Sequence, residues 1–489
     1  MNKLCCKTTS QGRLKSRNIW CKIKFNFRLT QDSVKFNEAI MDSATVNKQL
    51  IDQLPKIAQC PDQLETLLNA ASFRKRLLLE IAQAKFRIFL VTLYLQDDEA
   101  GRSILDALYV AKQKNPILDI KVLVDWHRAQ RGLIGANKSD GNALLYRDYA
   151  ERFTHKIDVL GVPVRNREVF GVLHLKGFVM DNTVIYSGAS LNDVYLAQHD
   201  RYRYDRYHII KNKVLADCMV NFIGNTLVSS AAVTCLTQPH RPNAKVLKLA
   251  IRDLRSRLQS SSYNFISQHT TEKHVGLTPM VGLGKHKNYL NTQICRLIAS
   301  ARNELIICTP YFNPPRSVMR ELRKALQRGA TITIIVGDKT ANDFYIPPSE
   351  PFKTIAGLPY LYEINLRNFA RRNEAIIAKR QLRINLWKHD DNSFHLKGIW
   401  VDRTYMLLTG NNLNPRAWKL DLENAILIHD HHRLLEAQTQ QEIDTILEHT
   451  QFIGSYKHLE KLEDYPVRVR KLLKRIKRIK VDHLLNQIL

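Results

Sequence analysis

No stretch of this 489-residue chain reaches the about 18 uninterrupted apolar residues that a bilayer-spanning helix needs. The nearest approach, Val214 to Leu236, is broken by Asp217, Asn221 and Asn225. The basic N-terminus lacks the apolar core of a signal peptide. Cys-x-x-Cys pairs are missing as well. The eight cysteines are scattered, which gives a zinc cage little support and fits a reducing cytoplasm. Acidic residues are scarce against basic ones, 46 to 74, for a net charge of +28. Such a field draws polyanions: nucleic acid, a ribosome or an anionic membrane surface. Otherwise the composition, 44% hydrophobic and 25% charged, is that of a folded soluble protein.

What the chain does have is a pattern that occurs twice. His174-Leu-Lys176-Gly177 is followed by Asp181, and His395-Leu-Lys397-Gly398 by Asp402; both copies read His-x-Lys-x4-Asp. The elements around them repeat too. In the first half, Leu77–Lys85 reads as helix, Phe86–Leu95 as strand, Gly101–Lys114 as helix and Ile117–Asp125 as strand. In the second, Asn291–Ala301, Glu304–Tyr311, Arg316–Arg328 and Thr331–Asp338 follow the same order. The motifs sit on predicted strand–turn–strand units, Val172–Met180 with Val184–Ser187 and Phe394–Val401 with Tyr405–Thr409. Alternation puts the His and Lys of each motif on one face. The predicted fold is α/β: two similar halves, each a mixed sheet flanked by helices. Residues 1–40 read as a basic N-terminal extension, with Met41 opening the globular stretch; a start at Met1 or at Met41 stays open. The halves span 41–236 and 278–465, joined by a linker over 237–277. A basic amphipathic segment, 466–489, closes the chain.

Paired His-Lys units suit phosphodiester chemistry. One neutral imidazole attacks phosphorus, and a second, protonated, serves the leaving group and then the incoming alcohol. A lysine beside each steadies the non-bridging oxygens. A carboxylate behind each ring would fix its tautomer, and Asp205 and Glu423, each opening an apolar run, are the candidates. Asn192, with Asn412 or Asn414, offers neutral donors to phosphate. Asp181 and Asp402 complete the motif, but their place at the strand ends suits turn formation as well as catalysis. Asp125-Trp-His-Arg128 and Asp338-Lys-Thr340 follow matched strands, where open sheets bind ligands; a substrate role and a structural one both stand.

The two motifs resemble those of the phospholipase D superfamily. Several stretches narrow the likeness: Gly171-Val-Leu-His-Leu-Lys-Gly-Phe178, Tyr186-Ser-Gly-Ala-Ser-Leu-Asn-Asp-Val-Tyr195, Tyr202-Arg-Tyr-Asp-Arg-Tyr-His208 and Val124-Asp-Trp-His-Arg-Ala-Gln-Arg-Gly132 in the first half. Val336-Gly-Asp-Lys-Thr-Ala-Asn-Asp-Phe-Tyr345 and Gly410-Asn-Asn-Leu-Asn-Pro-Arg-Ala-Trp418 extend it into the second. These resemble the bacterial CDP-diacylglycerol–serine O-phosphatidyltransferases of the phospholipase D type, from about Lys48 to the C-terminus. The resemblance implies a pseudo-twofold single-chain dimer of phospholipase D-like halves. It implies CDP-diacylglycerol and L-serine as substrates, phosphatidylserine and CMP as products, a phosphatidyl-histidine intermediate, and neither cofactor nor obligatory metal. By superfamily analogy His174 is the nucleophile and His395 the acid/base. The chain departs from the wider superfamily's Gly-Ser-x-Asn after each motif, so which asparagine meets phosphate stays open. A cardiolipin synthase, a phospholipase, a nuclease and an idle scaffold are the rival readings. No residue stands out as choosing serine over water or glycerol.

A lipid substrate without a spanning helix implies docking from the cytoplasmic side onto the inner face of the membrane. Val467–Lys480 carries eight Lys or Arg around Val469, Leu472, Leu473, Ile476 and Ile479 at helical spacing. Such a helix can lie in an anionic interface. It can also pack on its own domain, or bind ribosomal RNA without sequence preference.

Overall fold

In a computed structural model, the structure describes residues 42–131, 141–239, 242–347 and 349–478. The N-terminal extension, Gly132 and Ile479 onward lie outside the described residues. From Asp42 the chain forms one compact unit built on two large sheets.

The expected helix and strand order is present. Arg87–Val91 and Asp119–Asp125 are buried parallel strands joined by the helix Glu99–Lys114. That helix starts where Asp98 accepts a hydrogen bond from the Gly101 amide at 2.9 Å, and it ends with Lys112 and Lys114 at its negative pole. In the second half Glu304–Thr309 and Thr331–Gly337 pair in parallel, bridged by Arg316–Gln327. In each half a third parallel strand continues outward, Asp158–Val162 and Leu382–Trp387. An antiparallel set lies on the other side: Phe178–Met180, Thr183–Ser187 and Tyr207–Lys211 in one sheet, Gly398–Val401, Tyr405–Thr409 and Leu422–His429 in the other. The matching order establishes duplicated mixed sheets flanked by helices.

Two expectations need correction. The motif strands are shorter than Val172–Met180 and Phe394–Val401. Regular ladder begins only at Phe178 and Gly398, with Ser393–Phe394 forming a separate short pair with Arg203–Tyr204. The residues before it bond to the opposite half instead. The His174 amide donates to the Leu422 carbonyl at 3.0 Å and the Leu422 amide to that of Val172 at 3.0 Å. Likewise the His395 amide donates to the Tyr204 carbonyl at 2.9 Å. Alternation in sequence showed extended chain but not which sheet it served.

The start of the expected first half, 41–236, belongs with the second half. Its helix Ser43–Asp52 packs on Tyr289–Ser300, and its strand Ile57–Gln59 pairs with Val275–Leu283, both in the second. Ile51 and Leu54 share a core with Leu290 and Ile294. The linker is also folded. Lys248–Ser260 is a helix that buries Ile251, Leu254 and Leu258, and the buried Tyr263 follows it.

Candidate active site

Each motif strand leaves its sheet at the seam between the halves, so the two histidines reach the same place. His174, Lys176, His395 and Lys397 are 7%, 2%, 6% and 1% exposed. Charged groups are costly to bury alone, and here partners meet them from across the seam. His174 Nδ1 lies 2.9 Å from Glu423 Oε1, and His395 Nδ1 lies 3.0 Å from Asp205 Oδ2. Each half therefore supplies the carboxylate that holds the other half's histidine. With Nδ1–H donated to a carboxylate, each ring keeps Nε2 for the substrate.

The lysines complete the pairing. Lys397 Nζ reaches Asp205 Oδ2 at 3.2 Å and also touches the His395 ring. Lys176 is held through its backbone: its amide donates to Asn424 Oδ1 at 2.8 Å, and Asn424 Nδ2 donates to its carbonyl at 2.8 Å. Gly188 and Gly410 follow the matched strands Thr183–Ser187 and Tyr405–Thr409, and both are places of close approach. A Cβ at Gly410 would come within 2.7 Å of Lys176 Cγ, and one at Gly188 within 2.6 Å of Asp205 Oδ1.

Burial, then the neighbouring Lys176 and Lys397, hold the His174 imidazole well below its ordinary value. It is a neutral base near pH 7, as a nucleophile must be. Burial and Lys397 hold His395 at about 4. Burial and Lys397 also bring Lys176 down to about 7. Burial would raise Asp205, but Lys397 and the His395 hydrogen bond override it and set it at about 2. Glu423 goes the other way: burial and Asp421 push it well above the usual carboxylate range.

Asp181 and Asp402, grouped above with the catalytic residues, are used elsewhere. Asp181 accepts from the amides of Lys85, Phe86 and Arg87 at 2.8, 2.8 and 3.0 Å. Asp402 accepts from those of Arg302, Asn303 and Glu304 at 2.9, 2.8 and 2.8 Å. Each carboxylate clamps the turn that starts the neighbouring strand, from a left-handed backbone position with φ near 50°. Asp402 also lines a cavity of about 260 Å³ with Arg403, Tyr405 and Glu436, and no catalytic histidine or lysine lines that cavity. The structural reading of both residues replaces the catalytic one.

Asp125 accepts from the amides of His127 and Arg128, and also from Leu173 at 2.9 Å, which straps down the segment before His174. Asp338 accepts from the Thr340 amide and hydroxyl at 2.8 and 2.7 Å. Both take the structural role. Asn192 Oδ1 accepts from the Tyr195 amide and Asn414 Oδ1 from that of Ala417. The side-chain oxygen of Asn412 and the side-chain nitrogen of Asn411 are buried with no hydrogen-bond partner among the described residues.

Sequence reasoning gave no role to three residues beside His395. The Tyr195 hydroxyl is 2.9 Å from His395 Nδ1. Asp343 Oδ2 is 4.0 Å from His395 Nε2, and Arg203 pairs with Asp343 at 3.0 Å. Their only sequence signal was membership of the stretches that carried the resemblance.

Residues 294–450 match the family model described as cardiolipin synthase, phospholipase D-like domain. The chain is 50% identical to the CDP-diacylglycerol–serine O-phosphatidyltransferase of Escherichia coli over 91% of its own length and 98% of the relative's. It is 48% identical to the enzyme of that name from Haemophilus influenzae, over 90% and 98%. The crystal structure of phosphatidylserine synthase from Haemophilus influenzae superposes with a TM-score of 0.87 at 46% identity, over 92% of this chain and all of that one. The crossed histidine–carboxylate pairs and these likenesses agree: the chain belongs to the phospholipase D superfamily and, within it, to the bacterial CDP-diacylglycerol–serine O-phosphatidyltransferases.

Proposed function

We propose that this protein transfers the phosphatidyl group of CDP-diacylglycerol to L-serine, forming phosphatidylserine and releasing CMP. The carrying observation is the crossed geometry, in which two buried imidazoles, each on a carboxylate from the opposite half, face one seam with two lysines.

His174 Nε2 attacks the phosphorus that bears the diacylglycerol oxygen. The P–N bond forms as the P–O bond to CMP breaks, and CMP leaves with a proton from His395 Nε2. Serine then takes the place of CMP. His395 Nε2 removes the proton from serine Oγ, Oγ attacks phosphorus, and the P–N bond to His174 breaks. Lys176 and Lys397 offset the charge that builds on the non-bridging oxygens. His395 is neutral in the free site because burial and Lys397 hold it at about 4. The bound diphosphate is an anion beside the ring and raises it, so the acid forms as substrate arrives. Asn411 Nδ2, buried with no hydrogen-bond partner among the described residues, and the side-chain nitrogens of Asn192, Asn412 and Asn414 are the phosphate donors.

Among the described residues no helix is long and apolar enough to cross a membrane. We place the enzyme peripherally on the inner, cytoplasmic face of the membrane, drawn by its net charge of +28. The C-terminal helix does this through its basic face alone. Val469 and Leu473 are buried, packed with Tyr360, Leu361 and Tyr465, while Arg468, Lys471, Lys474, Arg475 and Arg478 stay exposed. Val469 and Leu473, part of the apolar face expected to enter lipid, are thus covered by the protein itself, because Tyr360 and Tyr465 offer them a dry partner. The same basic face can hold RNA or a ribosome.

Incubation of purified protein with CDP-diacylglycerol in mixed micelles, with and without L-serine, tests the reading. It predicts serine-dependent phosphatidylserine and CMP. Phosphatidic acid as the only lipid product would assign a hydrolase instead.

A further inference from the structure

The two histidines are alike at Nδ1 but not at Nε2, the atom that meets substrate. Beyond His395 Nε2 lies a second carboxylate, Asp343 Oδ2, at 4.0 Å. Among the described residues, Glu423 on Nδ1 is the one carboxylate within 4.0 Å of the His174 ring nitrogens. Asp343 is held in place: the Tyr311 hydroxyl donates to Oδ2 at 2.9 Å, and Arg203 Nε lies 3.0 Å from Oδ1. Arg203 in turn stacks 4.7 Å over the Tyr195 ring and donates to Ser393 Oγ at 3.2 Å. The side chains of Arg203 and Asp343 are 17% and 14% exposed, so this ion pair is mostly withdrawn from water yet open at one edge.

A carboxylate aimed into a site that must accept a diphosphate works against that substrate. It is useful if another ligand of the same site carries positive charge. Resting on the phosphatidyltransferase reading above, we propose that Asp343 accepts the ammonium group of serine and, with Arg203 facing serine's carboxylate, selects serine over water and uncharged alcohols.

The geometry suits this. In serine the hydroxyl oxygen and the nitrogen sit on adjacent carbons, roughly 3 to 3.7 Å apart from ordinary bond lengths. An Oγ within hydrogen-bonding distance of His395 Nε2 therefore brings the ammonium to Asp343 Oδ2. The fixed Arg203–Asp343 pair matches a zwitterion end for end, and charge-assisted hydrogen bonds at both ends would orient the hydroxyl toward the ring. In the first half-reaction, Arg203 offsets Asp343 while the CMP phosphate occupies the same side. The placement also makes His395 the acid/base, since the alcohol must enter on its side.

The test compares wild type with Asp343→Asn for phosphatidyl transfer from CDP-diacylglycerol in mixed micelles. L-serine and 3-hydroxypropionate serve as acceptors, and thermal melting checks the fold. Wild type should prefer serine strongly over 3-hydroxypropionate, which lacks the ammonium. The variant should raise the KM for serine by about tenfold or more with a much smaller change in kcat, the mark of lost binding rather than lost chemistry. Its preference for serine over 3-hydroxypropionate should shrink. A serine KM within about twofold of wild type, or a loss confined to kcat, overturns the proposal. Equal use of serine and 3-hydroxypropionate by wild type overturns it without any variant. Wild type that makes no phosphatidylserine removes the phosphatidyltransferase reading itself.

Discussion

His174 and Glu423 stand 249 positions apart in sequence and meet at 2.9 Å, one from each half of the chain. His395 and Asp205 repeat the contact in the opposite sense at 3.0 Å. Neither half can hold its own histidine in the reactive tautomer, so the single chain has one composite site and not two independent ones.

Glu423→Gln tests that dependence. The Glu423 oxygen facing His174 Nδ1 accepts its proton, either as an ionised carboxylate or as the carbonyl oxygen of the acid that burial favours. Glutamine can donate to Nδ1 and send the proton to Nε2, where it blocks attack. The expected loss in kcat is on the order of 10² to 10⁴-fold with the fold retained, by analogy with other His–carboxylate pairs. Steady-state assays beside circular dichroism check it; a loss below about tenfold would mean the carboxylate does not set the tautomer.

Asp402→Ala separates clamp from catalyst. It removes the acceptor for three backbone amides, at a cost of roughly 1–3 kcal/mol or more in stability. Activity per folded molecule should stay within about threefold of wild type, against the far larger loss expected when a group of the reacting pair is removed. Urea denaturation and active-site-normalised rates provide the two readouts. A catalytic collapse at unchanged stability would restore Asp402 to the chemistry.

The buried histidines His395 and His208 should each lower stability as acid is added below neutrality, against the raised carboxyls of Asp98, Asp125 and Glu423, which act in the opposite sense. Burial holds His395 and His208 at about 4 in the folded chain, whereas an unfolded histidine titrates near 6.5. Between these values the unfolded state binds more protons, so each histidine costs on the order of 3 kcal/mol by the bottom of that window. Asp205 acts in the same direction further down. At about 2 when folded against 3.8 when unfolded, it stabilises above 3.8 and loses that stabilisation as pH falls toward 2. The difference in urea midpoint between wild type and His208→Gln from pH 7 to pH 4 isolates one such group, and a pH-independent difference would contradict it.

The pH dependence of kcat/KM carries a different signature. Lys176 sits at about 7 in the free site, held down by burial and Lys397. Above that value it loses the proton with which it supports phosphate, so kcat/KM should decline on the alkaline side from near pH 7. In kcat the same limb should lie higher, because bound phosphate restores the lysine's charge. Coincident limbs would remove Lys176 from that role.

The parts of the site legible in sequence are those with a local signature. His174, Lys176, His395 and Lys397 announced themselves by exact repetition, and Glu423 and Asp205 by being acidic residues opening apolar runs. What was not legible is what the seam decides. Val172–Lys176 alternates like a strand but bonds to Leu422 and Asn424, and Ile57–Gln59 pairs with a sheet that begins some 200 residues later. Asp343 lies in a polar stretch like many others, and only folding brings it to His395. The C-terminal helix was periodic enough to be found, but periodicity alone could not say whether lipid or Tyr360 covers Leu473.

The most direct test of the central claim is exchange of labelled CMP into CDP-diacylglycerol with no serine present. A covalent intermediate on histidine forms reversibly before serine binds, so wild type should show exchange, and His174→Ala and His395→Ala should not. Exchange that depends on serine, or that persists in both variants, would contradict two-histidine covalent transfer.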